Sequence, residues 1–188
     1  MNVAILISGT GSVMQSILQH FAVCDKSKKI TFFVISNNPD ALGIGKALHL
    51  NAKTIVLNHK DYKTRLDFDN TLNAKLQDLN IDFVVLAGFM RILTPQFVSC
   101  WSGKMVNTHP SLLPAFKGAH AVRDALEYGV KITGTTVHWV SPDVDGGKII
   151  AQDFVVIDSD DTEYSLHEKI KQKEQILYPK VLQSLLLG

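Results

Sequence analysis

An amide, an imidazole and a carboxylate stand in two short segments of this 188-residue chain. The first segment is Asn107-Thr108-His109-Pro110-Ser111-Leu112-Leu113-Pro114, which follows a short apolar run. In extended backbone, residues i and i+2 share a side. Asn107 and His109 can therefore aim at one point, and the two prolines stiffen the exit. A fixed pair of hydrogen-bond donors aimed at one spot is what an oxyanion requires. The second segment, Asp143-Val144-Asp145-Gly146-Gly147, supplies a carboxylate that can complete the set. Each piece also has a plain structural reading. A lone histidine is more often packed than catalytic, Asn107 can shape a turn, and the Asp-Gly loop can be a tight hairpin. The spacing of Asp143 and Asp145 also fits a Mg²⁺ ligand pair, but no further carboxylate cluster supports a metal.

The elements that must position these residues follow from apolar periodicity. Val3 to Ile7 reads as a buried strand, closed by Ser8-Gly9-Thr10-Gly11-Ser12. Ile17, Leu18, Phe21 and Cys24 then recur at helical spacing. Further strands are expected at Ile30–Ile35, Thr54–Leu57 and Phe83–Ala87, with helices over Ala41–Leu50 and Asp61–Leu79. Met105-Val106 leads into the histidine motif. A short helix is expected at Ala121–Tyr128, then antiparallel strands at Ile132–Val140 and Lys148–Ile157. Asp158–Asp161 marks a helix start. The last helix carries Leu166, Ile170, Leu177, Val181 and Leu185 inward, with a kink expected at Pro179. Strands alternating with helices imply an α/β fold: an open, mostly parallel twisted sheet, helices on both faces, antiparallel strands near the C-terminal part. One domain over residues 1–188 is the simplest reading. Ligands of such sheets bind beyond the carboxyl ends of the strands. The loops after Ile7, Ala87 and Val106 should therefore meet in one cleft.

Three segments besides the histidine motif and the Asp-Gly loop carry candidate roles. The Ser8–Ser12 turn offers backbone N–H groups at a helix start, which suits a phosphate or serves as a plain tight turn. It lacks the third glycine of the dinucleotide fingerprint and any Walker lysine, so a mononucleotide phosphate fits better. Gly88-Phe89-Met90-Arg91-Ile92-Leu93 is either core packing or a slot for a flat heteroaromatic ring. Glu174 falls on the inward stripe of the last helix and needs a partner. Lys171 and Lys173 can supply one; a hydroxylated ligand is the other option. His20, His49, His59 and His138 fall in no constellation and are read as packed or solvated.

Composition bounds the function classes. Apolar residues make up 46% and the formal net charge is +1. A disordered chain and a dedicated nucleic-acid surface are both disfavoured. Two cysteines, Cys24 and Cys100, suit neither a metal cluster nor a disulfide framework. The start has no signal-peptide pattern and no apolar run reaches membrane length, so a cytoplasmic protein without a membrane partner is expected.

Taken together, Ser8–Ser12, the Leu86–Leu93 segment LAGFMRIL, NTHPSLLP, DVDGG and the late EQILYP stretch resemble the folate-dependent formyltransferases. The resemblance runs along essentially the whole chain. The glycine loop and the length narrow it to the phosphoribosylglycinamide formyltransferases of purine biosynthesis. It implies transfer of the formyl group of 10-formyltetrahydrofolate, a co-substrate, to the amine of glycinamide ribonucleotide (GAR), without a metal. It implies that Asn107, His109 and Asp145 are catalytic. Gly11, Ser12 and Val13, with Lys171, Gln172, Lys173 and Glu174, would hold GAR. Arg65, Met90, Arg91, Ile92, Leu93 and Asn107 would meet the folate, along with Ser141, Pro142, Asp143, Val144 and Asp145. Asp145 would favour the protonated His109. The family pattern has asparagine where this chain has Val13, so Ser12 is the expected side-chain contributor there. A monomer or weak homodimer is expected.

Three rival readings compete with this one. Other formyltransferases and formyl-folate hydrolases share the motif around His109 and Asp145 but carry an extra domain, for which this length leaves no room. A non-catalytic nucleotide-binding module has no need of the three polar residues. A nicotinamide-dependent oxidoreductase needs the glycine fingerprint that is incomplete here.

Overall fold

Strand β1 (Asn2–Ile7) is an interior strand of the sheet, with Val3 to Ile7 fully buried. Side chains alternate across a strand. Val3, Ile5 and Ile7 enter one core, while Ala4 and Leu6 enter a second. Each buried Val, Ile or Leu side chain among them stabilises the fold by about 1.5–3 kcal/mol through removal from water. The computed structural model describes residues 1–24 and 29–188.

The chain then runs through α1 (Ser12–Ala22), β2 (Thr31–Ser36), α2 (Leu42–His49), β3 (Lys53–Val56), α3 (Arg65–Asp78), β4 (Phe83–Leu86) and α4 (Pro95–Cys100). It continues with β5 (Met105–His109), α5 (Ala121–Tyr128), β6 (Ile132–Trp139), β7 (Ile149–Val156) and α6 (Glu163–Leu187). Among the described residues, seven strands form one sheet in the order β3-β2-β1-β4-β5-β6-β7. Pairing is parallel from β3 to β5 and antiparallel for β5–β6 and β6–β7. This is the α/β architecture read from the sequence. The first core joins the sheet to α1 and α6, and the second joins it to α3 and α4.

Four local expectations need correction. Cys24 lies beyond the end of α1. Helix α3 begins at Arg65, not Asp61, because Thr64 and Asp67 form a capping box after a 3-10 turn at His59–Asp61. Its inward residues are Phe68, Leu72 and Leu76, while Leu66 is exposed. Helix α4 is an element absent from the sequence reading. Its signal was Thr94-Pro95: Thr94 accepts from the Phe97 amide and Pro95 needs no donor in the first turn.

The last helix starts at Glu163 under a Thr162 cap and runs unbroken through Pro179. Its buried residues are Leu166, Ile170, Glu174, Tyr178, Pro179, Val181, Leu182 and Leu186. Leu177 and Leu185 only flank them. Two polar residues of this set dock the helix under the end of β5. Tyr178 donates its hydroxyl to the carbonyls of Leu86 and Val106, at 3.1 and 3.0 Å. Glu174 accepts from Thr108 at 3.0 Å and from Thr135 at 3.5 Å. Burial pushes the Glu174 carboxyl up to about 7, against the pull of the two threonines and Lys171.

Two outcomes follow from this docking. Tyr178→Phe leaves two buried carbonyls without their donor, and denaturant unfolding should show a loss of about 1–3 kcal/mol. Glu174 has a folded pKa above its ordinary 4.5, so the neutral acid is the form the fold favours. That stability is complete below about pH 4.5 and is lost as pH rises through about 7. Wild type should therefore lose on the order of 3 kcal/mol across that window relative to Glu174→Gln, which has no such slope. Parallel pH curves for the two proteins would refute the assignment.

Candidate active site

Asn107 and His109 stand on the same side of β5 as Met105, facing away from α6, as alternation requires. Val106 and Thr108 take the α6 side. His109 is 5% exposed. Its Nδ1 lies 3.3 Å from Asp145 Oδ2, and its Nε2 lies 2.8 Å from the carbonyl of Phe116. Both ring nitrogens face acceptors.

The motif's exit loop is tied to β6 and β7 by side-chain hydrogen bonds. Ser111 donates to Ala115 at 2.6 Å, and Thr136 accepts from the Leu113 amide at 3.0 Å while donating to Ser111 at 2.7 Å. Gln152 donates to the Leu113 carbonyl at 2.9 Å. These bonds return the chain so that Phe116 reaches His109 and Gly118 reaches Asp145.

Asp145 comes from the β6–β7 connection. Its backbone is left-handed, with φ 50°. Its Oδ2 accepts from the Gly118 amide at 2.9 Å, and its side chain is 10% exposed. The two glycines after it are steric requirements. A Cβ on Gly147 would sit 1.6 Å from the Trp139 carbonyl oxygen, and one on Gly146 would sit 2.7 Å from Asp143 Cβ. The sequence-derived trio is thus partly assembled: Asp145 meets His109 directly.

His138 requires a correction. Sequence alone places it in no constellation, yet it is Asn107's partner across the β5–β6 pair. Its Nε2 lies 3.4 Å from Asn107 Nδ2 and 3.8 Å from Asp145 Oδ1. Burial lowers its pKa, opposed by the Trp139 carbonyl and by Asp145. The strand pattern carried the signal, because two residues of β6 oppose Asn107 and His109 on one face: His138 and Thr136.

The glycine turn lies beside this group at the strand ends. Gly11 caps α1 with φ 65°, and no described side chain caps that end. A Cβ on Gly11 would lie 2.7 Å from Gly43 Cα, so both positions need glycine. The first-turn donors thereby remain open to an anion. Val13 is in the first core, which leaves its backbone alone for a ligand. The convergence of loops is direct: Ser8 N–H donates to the Gly88 carbonyl at 3.1 Å and Ser8 Oγ accepts from Met90 N–H at 2.8 Å.

The expected slot is divided in two. Met90 and Ile92 are exposed, as is Val144, whereas Leu93 is buried in the α3–α4 core. Arg91 stacks on Phe68, 4.5 Å from the ring centre, and its buried Nε has no partner among the described residues. Arg65 is exposed on the first turn of α3, and Pro142 and Asp143 are exposed as well. Ser141 donates to the Asp143 carbonyl at 3.0 Å.

On α6, Glu174 is bound to Thr108 and Thr135 rather than to a lysine. Lys171 pairs with Glu168 at 2.5 Å, Lys173 with Asp153 at 3.2 Å, and Gln172 is exposed. Lys173 is thus turned towards Asp153 and Phe154 of β7. Among the described residues no group of three His, Cys, Asp or Glu side chains could hold a metal ion.

With this geometry in place, the chain can be compared with known proteins. Residues 1–182 match the formyl transferase family. The chain is 47% identical over 186 residues to the human trifunctional purine biosynthetic protein adenosine-3, covering 99% of this chain and 18% of that protein. The chain therefore spans less than a fifth of that relative's length. The Escherichia coli phosphoribosylglycinamide formyltransferase is 39% identical over 182 residues, 97% of this chain and 85% of its own length. The crystal structure of glycinamide ribonucleotide transformylase 1 from Geobacillus kaustophilus superposes with TM-score 0.92 at 37% identity, covering 98% of each chain. A match along nearly the whole length, in sequence and in fold, is the ground for the assignment: the chain belongs to the formyl transferase family.

Proposed function

We propose that this chain transfers the formyl group of 10-formyltetrahydrofolate to the amine of GAR, giving formylglycinamide ribonucleotide and tetrahydrofolate. The observation that carries the reading is the contact of His109 with Asp145 at a strand end, beside an open helix start and in a family of formyl transferases. Relatives named phosphoribosylglycinamide formyltransferase support the choice of acceptor.

The chemistry follows from the side chains. The formyl donor is amide-like and a poor electrophile, so attack by the GAR amine needs help at the oxygen. Asn107 donates to the developing oxyanion. His109, held at Nδ1 by Asp145, donates a second hydrogen bond through Nε2 once the Phe116 carbonyl releases it. Asp145 stabilises the imidazolium and helps move the proton from the attacking amine to the leaving folate nitrogen. No covalent intermediate with the protein is required.

The first-turn amides at Gly11, Ser12 and Val13 suit the GAR phosphate, with Ser12 as the side-chain contributor. Lys171 and Glu174 suit the ribose-phosphate end, with Gln172 and Lys173 on the outer rim. Arg65 and Arg91, with Met90, Ile92 and the Leu93 backbone, suit the folate, and Ser141 to Val144 border it. Both substrates are small molecules. The reading places the chain in the cytoplasm, as a monomer or weak homodimer, acting without nucleic acid, membrane or metal. Among the described residues no helix is long and apolar enough to cross a membrane.

Mixing the protein with GAR and 10-formyltetrahydrofolate should produce the absorbance change of deformylated folate, dependent on GAR. Folate turnover that is indifferent to GAR, or that requires another acceptor, would sink the assignment. Asp145→Asn should bind both ligands in equilibrium titrations yet turn over about a hundredfold more slowly, or worse. Near-normal turnover would remove Asp145 from the mechanism.

A further inference from the structure

His138 has no part in the chemistry above, yet it touches Asn107 and lies near Asp145. It is 2% exposed. Its Nδ1 lies 2.9 Å from the carbonyl oxygen of Trp139. A carbonyl only accepts, so Nδ1 carries a proton. Burial, the largest influence on the ring, disfavours a second proton, and His109 and Lys117 add to that effect. Asp145 and the Trp139 carbonyl act against it. The neutral ring therefore presents a lone pair at Nε2, 3.4 Å from the Asn107 side-chain amide. An amide oxygen placed there would face another acceptor. Only the N–H end of Asn107 can occupy that position, which settles the amide orientation on chemical grounds.

We propose that His138 is a positioning residue whose neutral Nε2 accepts one N–H of Asn107, so that the second N–H is left to donate to the formyl oxygen. Asn107 sits on one strand between β4 and β6, and its amide can rotate by half a turn at little cost in shape. A flipped amide would present an oxygen to a developing oxyanion. The histidine prevents this by accepting and never donating while it is neutral.

The same contact makes the arrangement sensitive to acid. A second proton turns Nε2 into a donor, which repels the Asn107 N–H and is drawn to Asp145 Oδ1 at 3.8 Å. Asp145 is already held by His109 and by the Gly118 amide. The charged and titratable groups that act on the ring are Asp145, His109 and Lys117. The pKa of His138 is lowered from 6.5, so the amide is held at neutral pH and released as pH falls through a value below 6.5.

The orientation can be tested without any assumption about substrate; only its catalytic consequence rests on the formyl-transfer reading. In the ¹⁵N-labelled full chain, the Asn107 side-chain NH₂ signals are followed from about pH 5 to 8, with the His138 ring signal alongside. In wild type both should move with one shared midpoint below 6.5. In His138→Gln, whose Oε1 is an acceptor that does not titrate, the Asn107 signals should lose that transition. Asn107 signals that ignore the His138 titration, or that keep the same transition in the Gln variant, overturn the proposal.

In formyl transfer, His138→Leu should lower kcat by about 10- to 100-fold with KM for GAR little changed. His138→Gln should recover most of that loss, and its acidic limb should lie at lower pH than in wild type. A Leu variant with wild-type kcat, or a Gln variant with an unchanged limb, also overturns it. Should the Leu variant fail to fold, the Gln variant's limb and spectrum decide. Should wild type transfer no formyl group, the spectra alone decide, and the two failures are told apart.

Discussion

Alternation along β5 sends Asn107 and His109 to one face of the sheet and Thr108 to the other, and the site is built around that division. On one face the amide and imidazole meet Asp145 and His138. On the other, Thr108 anchors Glu174 of α6, and Tyr178 of the same helix bonds the carbonyls of Leu86 and Val106. A slip of one residue would exchange the two sets, turning every polar side chain to the wrong layer. The helix under β5 therefore sets the register of the strand whose other face carries the chemistry.

Asp145 illustrates how a loop can be made as definite as a strand. It lies in a left-handed turn beside two glycines that no larger residue can replace without collision. Its Oδ2 takes a backbone donor from Gly118 as well as the His109 ring. Gly118 itself is delivered by the return of the motif loop, which Thr136 and Gln152 hold against β6 and β7. The antiparallel end of the sheet is thus the part of the fold that joins two distant segments, residues 107–118 and 143–147.

Much of this was legible in the sequence, for particular reasons. Continuous apolar runs marked the buried parallel strands, and the turn residues marked their ends. Ala121–Tyr128 was legible to the residue because a glycine follows it. Helix α4 was missed because six residues are too few to display a period, although Thr94-Pro95 stood at its start. The inward stripe of α6 was displaced to Tyr178, Leu182 and Leu186 because Leu177 and Leu185 offered the more apolar choices at neighbouring positions. His138 is not legible locally, because its significance lies in its register with Asn107 across the β5–β6 pair, which only the alignment of the two strands displays.

The sequence by itself determined the α/β class, the strand-end location of Asn107 and His109, and the glycine turn at the start of α1. These are local properties, written in spacing and in the residues a turn will accept. The tertiary structure decided which groups touch: Asp145 with His109, His138 with Asn107, and Glu174 with two threonines, a partner choice the sequence left open between lysines and a ligand. Those contacts join residues 31 to 66 positions apart. They depend on the register of the β5–β6 pair and the docking of α6, which are set by packing across the whole sheet.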